Sequence, residues 1–400
     1  MPLLRRFSIG PAQLLFVCFC LLFVLIGLER GGGKIASVFE PLLGLFSLYL
    51  LFKRGAASIR ADGLLIAAFI AYCGYYLLRW HAWDGSIDAS VDMFRPVTQA
   101  ILMVALLAWW VSRADAQGSG MLLLVLLGTM VAGVSLFNFY VLQGNGLQDR
   151  LRPLGEASHP IIGMYYYAFP LLLAGLLFRA SQETRVRLML LLCAAVLLSV
   201  FLLSRSRGPL LGLIVTTGTV AFFGLAGRAR VLVFGGGAAA VLLFLLLQDA
   251  DWLSRLDTGR FVIWEAVFEQ LPEALWLGHG SSHDNYVYFS EVYGWQHAHN
   301  IWLGHLYWGG AVAALLLAAV YGRAVWLFYR FRGQPLSMLG LLLVCFGLVS
   351  MLTDGNLLLA SPDPLWFVFV VPVGLAIGLS ARPVGQGEVN GTGADLRADV

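Results

Sequence analysis

The sequence predicts an all-α polytopic membrane protein with about twelve transmembrane helices and one large outer loop that contains short helices. Of its 400 residues, 59% are hydrophobic and only 12% are charged, and the mean hydropathy is +0.80. Soluble domains carry about twice this share of charged residues, and apolar runs of about 20 residues are long enough to cross a bilayer as helices. The net charge of +3 is too small to indicate a nucleic-acid partner.

The first apolar run begins near Ala12 and follows Arg5 and Arg6, as in a signal peptide. It ends without a small-x-small cleavage site, so it is predicted to be an uncleaved span. The twelve spans are predicted at residues 12–28, 35–52, 62–78, 93–112, 121–142, 160–178, 186–203, 209–226, 229–247, 300–328, 336–353 and 364–380.

The distribution of Lys and Arg predicts the orientation. If the N-terminus is cytoplasmic, 16 of the 26 Lys and Arg residues fall on the cytoplasmic side and ten on the outer side. The positive-inside rule then favours two cytoplasmic termini. The predicted domains are 1–247 with nine spans, 248–299 as the large outer loop, 300–381 with three spans, and 382–400 as a polar, disordered cytoplasmic tail.

Patterns typical of metal sites are weak. His279 and His283 flank glycine and serine residues that disfavour a helix, no HExxH is present, and Asp249 and Asp251 form a bare DxD at the end of a span. All cysteines lie inside apolar runs and are predicted to be buried and unpaired: Cys18, Cys20, Cys73, Cys193 and Cys345. We therefore predict no metal and no cofactor.

Outer arginines form the first group of candidate residues. Arg205 and Arg207 precede Pro209 at a helix start, and Arg260 follows Gly259 at the start of a predicted amphipathic helix, residues 257–270. One interpretation is that these side chains reach lipid headgroups. The other is that they clamp an anion such as a diphosphate, through guanidinium forks and free backbone N–H groups. Arg150 and Arg152 are weaker candidates, because Asp149 and Glu156 are available to neutralise them.

His299 is the candidate for acid–base chemistry. His299, Leu303, Leu306 and Gly310 form one stripe of a helix that starts at the outer surface. The helix dipole is expected to favour the neutral imidazole, the form that a general base requires. The alternative is a histidine hydrogen-bonded at the membrane interface without a chemical role. His297 and Asn300 would support His299.

These residues carry a family resemblance. The run His299-Asn300-x-x-Leu303-x6-Gly310 resembles the signature of the O-antigen ligase and polymerase superfamily of bacterial envelope proteins. The run Ser206-Arg207-Gly208-Pro209 is similar to its basic turn, and Gly259-Arg260 is similar to the opening of its large loop. The predicted spans, the late loop and the chain length resemble the ligase branch.

The resemblance implies an O-antigen ligase in the bacterial inner membrane. Such a protein transfers a glycan from undecaprenyl diphosphate to a sugar hydroxyl of lipid A–core on the periplasmic face, by metal-independent inverting transfer. His299 would be the base, and Arg207 and Arg260 would hold the diphosphate. The roles of Arg205 and His297 are left open. The implied partners are the lipid-linked donor, the lipid A–core acceptor and membrane lipid.

Other functions remain possible from the sequence alone. An O-antigen polymerase would use the same donor, and protein O-oligosaccharyltransferases are a third branch that usually carries a further periplasmic domain. A transporter of lipid-linked glycan would tend to place charges near the bilayer midplane, whereas nearly all charges here fall at span ends. A metal-dependent glycosyltransferase could use Asp84, Asp88 or Asp92 in an outer loop.

Overall fold

The computed structural model describes residues 11–52, 61–79, 87–113, 118–224, 259–280, 287–288, 294–295, 297–355 and 357–382. Eleven of the twelve predicted spans fall in this part of the chain, and each of the eleven contains a helix. Outside the described residues lie the predicted span at 229–247, the predicted tail 382–400 except Arg382, Asp84, the DxD aspartates and His283.

The helices that coincide with predicted spans are α1 (Pro11–Leu28), α2 (Gly32–Phe52), α3 (Gly63–Arg79), α4 (Ile87–Ser112), α5 (Gly118–Leu136, continued by π-helical Phe137–Leu142), α6 (Gly163–Ala180), α7 (Thr184–Ser204), α8 (Arg207–Gly224), α10 (Ile301–Arg330), α11 (Pro335–Ser350) and α12 (Val370–Ser380). Between α8 and α10 lies the short helix α9 (Arg260–Gln270). Five described helical segments are long and apolar enough to cross a membrane. The chain is thus an all-α membrane protein, and the number of twelve crossings stays a prediction.

Irregular elements complete the fold. Short 3-10 helices lie at Gly155–Ser158, Leu271–Ala274 and Pro364–Phe367. The last of these replaces the first turn of the predicted span 364–380, because Asp363 caps it and Pro364 starts it. Two short strands, β1 (Val287–Tyr288) and β2 (Gly294–Trp295), pair antiparallel just before α10.

Glycines allow two helix pairs to approach closely. A Cβ on Gly374 of α12 would lie 2.7 Å from the Leu107 side chain of α4, and one on Gly212 of α8 would lie 2.1 Å from Ser350 Oγ of α11. Small residues at such contacts let helix backbones pack tightly in a membrane, where hydrophobic burial between helices gives little driving force. The α8–α11 contact matters most for function, because it brings the start of α8 beside the end of α11.

Helix α10 is broken at Gly310, whereas the sequence predicts one continuous span. Gly310 has φ 66° and ψ −170°, a conformation that is essentially restricted to glycine. The segment 275–280 fills the break: His279 and Gly280 donate to the carbonyls of Tyr307 and Trp308 at 2.9 Å. In return, the amides on the far side donate to the same segment, Ala311 N to Leu275 O at 2.7 Å and Val312 N to Trp276 O at 3.3 Å. The break therefore leaves these four backbone groups paired.

Candidate functional site

The N-terminus of α10 is tied to the segment that follows α11. Ile301 N donates to Met351 O at 3.0 Å. Asn300 caps α10, because its Oδ1 accepts from Trp302 N at 2.9 Å and Leu303 N at 3.2 Å. These bonds hold His297 and His299, just before the helix, against Asp354, just after α11.

The two histidines and Asp354 form the centre of the candidate site. His299 Nδ1 lies 3.1 Å and His297 Nε2 lies 3.5 Å from the same oxygen, Asp354 Oδ1. The two imidazole rings are 4.0 Å apart between centroids. His299 has φ 49°, a left-handed conformation that non-glycine residues seldom adopt outside constrained sites. This backbone conformation therefore accompanies the contact of the ring with the carboxylate.

Asp354 is held as a buried carboxylate. Its side chain is 1% exposed, and Tyr165 donates to its backbone carbonyl at 2.5 Å. Burial alone would raise the pKa of Asp354, but the hydrogen bonds from His297 and His299, and the attraction to either ring when it is protonated, hold that pKa well below its usual range. Within the described part of the chain, Asp354 Oδ2 is buried without a hydrogen-bond partner. The site thus contains a negative charge whose described side-chain partners are imidazoles.

Asp354 is not among the candidate residues predicted from the sequence. Asp354 is the only acidic residue between Glu291 and Asp363, and it follows the predicted span 336–353 on the outer side. A lone carboxylate at the outer end of an apolar helix, on the same side as the His299 motif, was the available signal.

The basic turn that carries Arg207 packs against the segment that carries Asp354. Arg207 begins α8, and a Cβ on the next residue, Gly208, would lie 1.7 Å from Thr353 Oγ1, one residue before Asp354. Glycine is thus required at position 208 for the basic turn to pack against the Asp354 segment. This contact brings the start of α8, which carries Arg207, to the segment whose Asp354 contacts His299.

A cluster of cations surrounds the turn. Arg150 donates to Ser204 O at 2.8 Å and to Ser206 Oγ at 3.1 Å. Desolvation lowers the pKa of Arg150, and Arg152, Arg260 and Arg207 lower it further, whereas Asp354 raises it. Arg152, Arg207, Arg260 and Asp354 therefore all lie within electrostatic reach of Arg150. We define Arg150, Arg152, Arg207 and Arg260 as the arginine cluster.

The carboxylates expected to neutralise Arg150 and Arg152 have other partners. Asp149 Oδ2 accepts from Gly146 N at 2.7 Å, and Glu156 Oε1 accepts from Gly31 N at 2.6 Å. Neither carboxylate forms an ion pair with these arginines in the part of the chain that the structure describes. Asp149 and Glu156 therefore do not neutralise Arg150 and Arg152 by direct ion pairs in the described part of the chain.

Arg205 points elsewhere. It ends α7 in a left-handed conformation with φ 49°, and its guanidinium donates to Leu147 O at 3.4 Å. Its electrostatic effect falls on Tyr140, not on Arg150. Of the two arginines in the basic turn, Arg207 is the one that acts on Arg150.

Helix α9 fixes Arg260 relative to the histidines. Gly259 precedes it with φ 75°, and Ile263 and Val267 are buried. Trp264 Nε1 donates to Ala298 O at 2.9 Å, between the two histidines in sequence. The Trp264 contact thus connects the helix that carries Arg260 to the His297–His299 segment.

The donor set of the central residues is also compatible with a metal ion. The candidate ligand atoms of His297, His299 and Asp354 lie within 4.8 Å of one another, and two imidazoles with a carboxylate are common ligands of Zn²⁺. His279 lies apart from this group: its ring packs on Tyr307, and its Nε2 lies 3.2 Å from Gln270 O. The prediction that no metal is required stays a prediction.

Comparison with known proteins agrees with the resemblance in the motifs. Residues 188–318 match the family model described as O-Antigen ligase. This region contains the basic turn, the Gly259-Arg260 pair and the His299 motif, and it ends before Asp354. An O-antigen ligase from Pseudomonas aeruginosa is 28% identical over 339 residues, which cover 83% of this chain and 82% of that protein.

Proposed function

We propose that this chain, whose resemblance to the O-antigen ligases is confirmed by both comparisons, is an O-antigen ligase of the bacterial inner membrane. It would transfer a polysaccharide from undecaprenyl diphosphate to a sugar hydroxyl of lipid A–core on the periplasmic face. The observation that carries the proposal is the contact of His299 with buried Asp354 beside the arginine cluster. A base and a diphosphate clamp are the two groups that this transfer requires.

His299 is the proposed base. Asp354 accepts a hydrogen bond from Nδ1–H, which leaves Nε2 of the neutral ring free to accept a proton. The acceptor hydroxyl gives its proton to Nε2 while its oxygen bonds to the anomeric carbon of the donor. The bond from that carbon to the diphosphate oxygen breaks, and its electron pair leaves with undecaprenyl diphosphate. Asp354 stabilises the imidazolium that forms.

The arginine cluster is proposed to bind the diphosphate. Its positive charge would stabilise the negative charge that grows on the leaving group, and a guanidinium can hold two phosphate oxygens at once. Arg207 and Arg260 would be the main contacts, and Arg205 would contribute less because its guanidinium is engaged at Leu147. His297 and Asn300 would hold the base in place.

A metal-assisted transfer is the second candidate mechanism, and the spacing of His297, His299 and Asp354 favours it. A metal would supply Lewis-acid stabilisation of the diphosphate or an activated hydroxyl. Transfer by the purified protein in excess EDTA separates the mechanisms. Full activity in EDTA would support the base mechanism. Loss of activity in EDTA, with recovery on addition of Zn²⁺, Mg²⁺ or Mn²⁺, would support the metal-assisted mechanism instead.

The central test is transfer in vitro with purified lipid-linked donor and lipid A–core. General base catalysis is typically worth about two to four powers of ten in rate, so His299→Ala should lose most turnover while donor binding persists. His297→Ala should lose less turnover than His299→Ala, since its contact with Asp354 is longer. Turnover of the His299 variant within a few-fold of wild type would refute the assignment.

A deletion strain separates the ligase from the polymerase. Loss of all O-antigen on lipid A–core, with glycan accumulating on undecaprenyl diphosphate, is the result expected for a ligase. A core that carries a single repeat unit would instead indicate a polymerase.

A further inference from the structure

His159 is a third histidine near the candidate site, and the sequence motifs do not include it. It lies in the loop before α6, between the 3-10 helix Gly155–Ser158 and Gly163. The next residue is anchored to the basic turn, because Ser206 Oγ donates to Pro160 O at 2.5 Å. Ser206 also accepts from Arg150 at 3.1 Å. His159 is thus held on the side of the site that carries the arginines.

Backbone hydrogen bonds fix the tautomer of His159. Ile162 N donates to Nδ1 at 3.2 Å, and Ile161 N does so at 3.4 Å. A nitrogen that accepts cannot carry a proton, so the proton of the neutral ring lies on Nε2. His159 therefore presents an N–H donor while its other nitrogen holds the turn.

The surroundings keep the ring neutral. The residue is exposed at the surface of the protein, yet partial desolvation by its surroundings lowers the pKa of His159; Asp354 raises it, and Arg150, His297 and His299 lower it. The same interactions show that His159 lies within electrostatic reach of both the arginine cluster and the His299–Asp354 pair. A neutral donor there adds a hydrogen bond to an anion without adding a further cation to a crowded group.

We propose that His159 is a further substrate-binding residue, which donates a hydrogen bond from Nε2–H to a diphosphate oxygen of the polyprenyl-linked donor. The assignment rests on the proposed function, because it uses the same diphosphate site. It favours the donor over the acceptor because the anchored loop and the turn that carries Arg207 share Ser206.

Two variants distinguish donation from Nε2–H to the substrate from the structural role of Nδ1 in the turn. His159→Asn keeps an acceptor near the Nδ1 position for Ile161 and Ile162 but lacks the Nε2 donor. His159→Gln places an amide donor near the Nε2 position but lacks that acceptor. Ser158→Ala, in the same loop, is the control. We expect His159→Asn to lower kcat/KM for the donor about 10- to 100-fold, with KM for lipid A–core unchanged, and His159→Gln to recover part of the loss.

Binding of a short-chain polyprenyl diphosphate to the purified full-length proteins provides a second measurement. His159→Asn should weaken this binding by a similar factor and should change binding of the corresponding alcohol less than two-fold. If His159→Asn matches wild type while His159→Gln loses activity and thermal stability, the ring only holds the turn and the inference is wrong. If wild type shows no transfer, the proposed function fails, and diphosphate binding by the same variants still decides the role of His159.

Discussion

Replacing Asp354 with Asn removes one charge from the centre of the site and nearly preserves its shape. At the 3.1 Å separation from His299 Nδ1, a unit charge pair at an effective dielectric constant of 20 interacts by about 5 kcal/mol, which is an upper limit. An amide can also donate to Nδ1, which would place the ring proton on Nε2 and block the base. Both effects act on turnover.

We therefore expect Asp354→Asn to lower kcat by about two to four powers of ten, the range that general base catalysis spans. Donor binding should stay within a few-fold, because the arginine cluster is intact. The assay is initial rate of transfer with both purified lipid substrates, at several pH values, with thermal unfolding in parallel.

Asp149→Asn is the matched control. Asp149, in the loop before α6, accepts a hydrogen bond from the backbone N–H of Gly146 and has no described hydrogen bond or ion pair with either histidine. A folded Asp354→Asn protein with kcat within three-fold of wild type would refute the role of Asp354, whatever the control shows.

Four other outcomes are expected. Arg207→Lys should restore little of the transfer lost in Arg207→Ala, since an ammonium cannot form a two-point fork with a phosphate; equal rates for Lys and Arg would contradict this. Gly310→Ala should lower the thermal unfolding temperature and the yield of folded protein, because an alanine Cβ would lie 2.3 Å from Trp276 O; Gly322→Ala, in open space on the same helix, is the control. Burial raises the pKa of Asp363 from 3.8 to about 7, so the folded state should lose stability as pH rises from about 4 to 7. Asp363→Asn should remove most of that loss, and an unchanged pH profile of unfolding would argue against it. Reporter fusions at Asp257 and Arg397 should report opposite sides of the membrane, and a shared side would refute the orientation.

The helices and part of the site could be predicted from sequence. Apolar runs determine where helices form, because a bilayer requires every backbone group to be paired within the segment. The motif around His299, the basic turn and Gly259-Arg260 supplied the residues that the fold brings near Asp354. These are local signals, readable without knowledge of the packing.

Asp354 and the direction of Arg205 could not be found in the same way. Asp354 is 55 residues from its partner His299, and the pairing depends on how α10 and α11 meet. Arg205 and Arg207 are two residues apart in the same turn, and Arg205 adopts a left-handed conformation with its guanidinium donating to Leu147 O. Such contacts depend on packing and turn geometry that no periodic pattern encodes.

The broken helix α10 has a mechanical consequence. Lifting the segment 275–280 away from Gly310 would unpair four backbone groups in a membrane helix, and each unpaired group in hydrocarbon costs several kcal/mol. Arg79 of α3 also holds this segment in place, because it donates to Leu277 O at 3.0 Å and to Gly278 O at 2.9 Å. The half-helix Ile301–Gly309 and this segment should therefore move as one body. Opening a lid by separating this segment from α10 would cost a large amount of free energy. A substrate is therefore expected to enter the site without separating the segment 275–280 from α10.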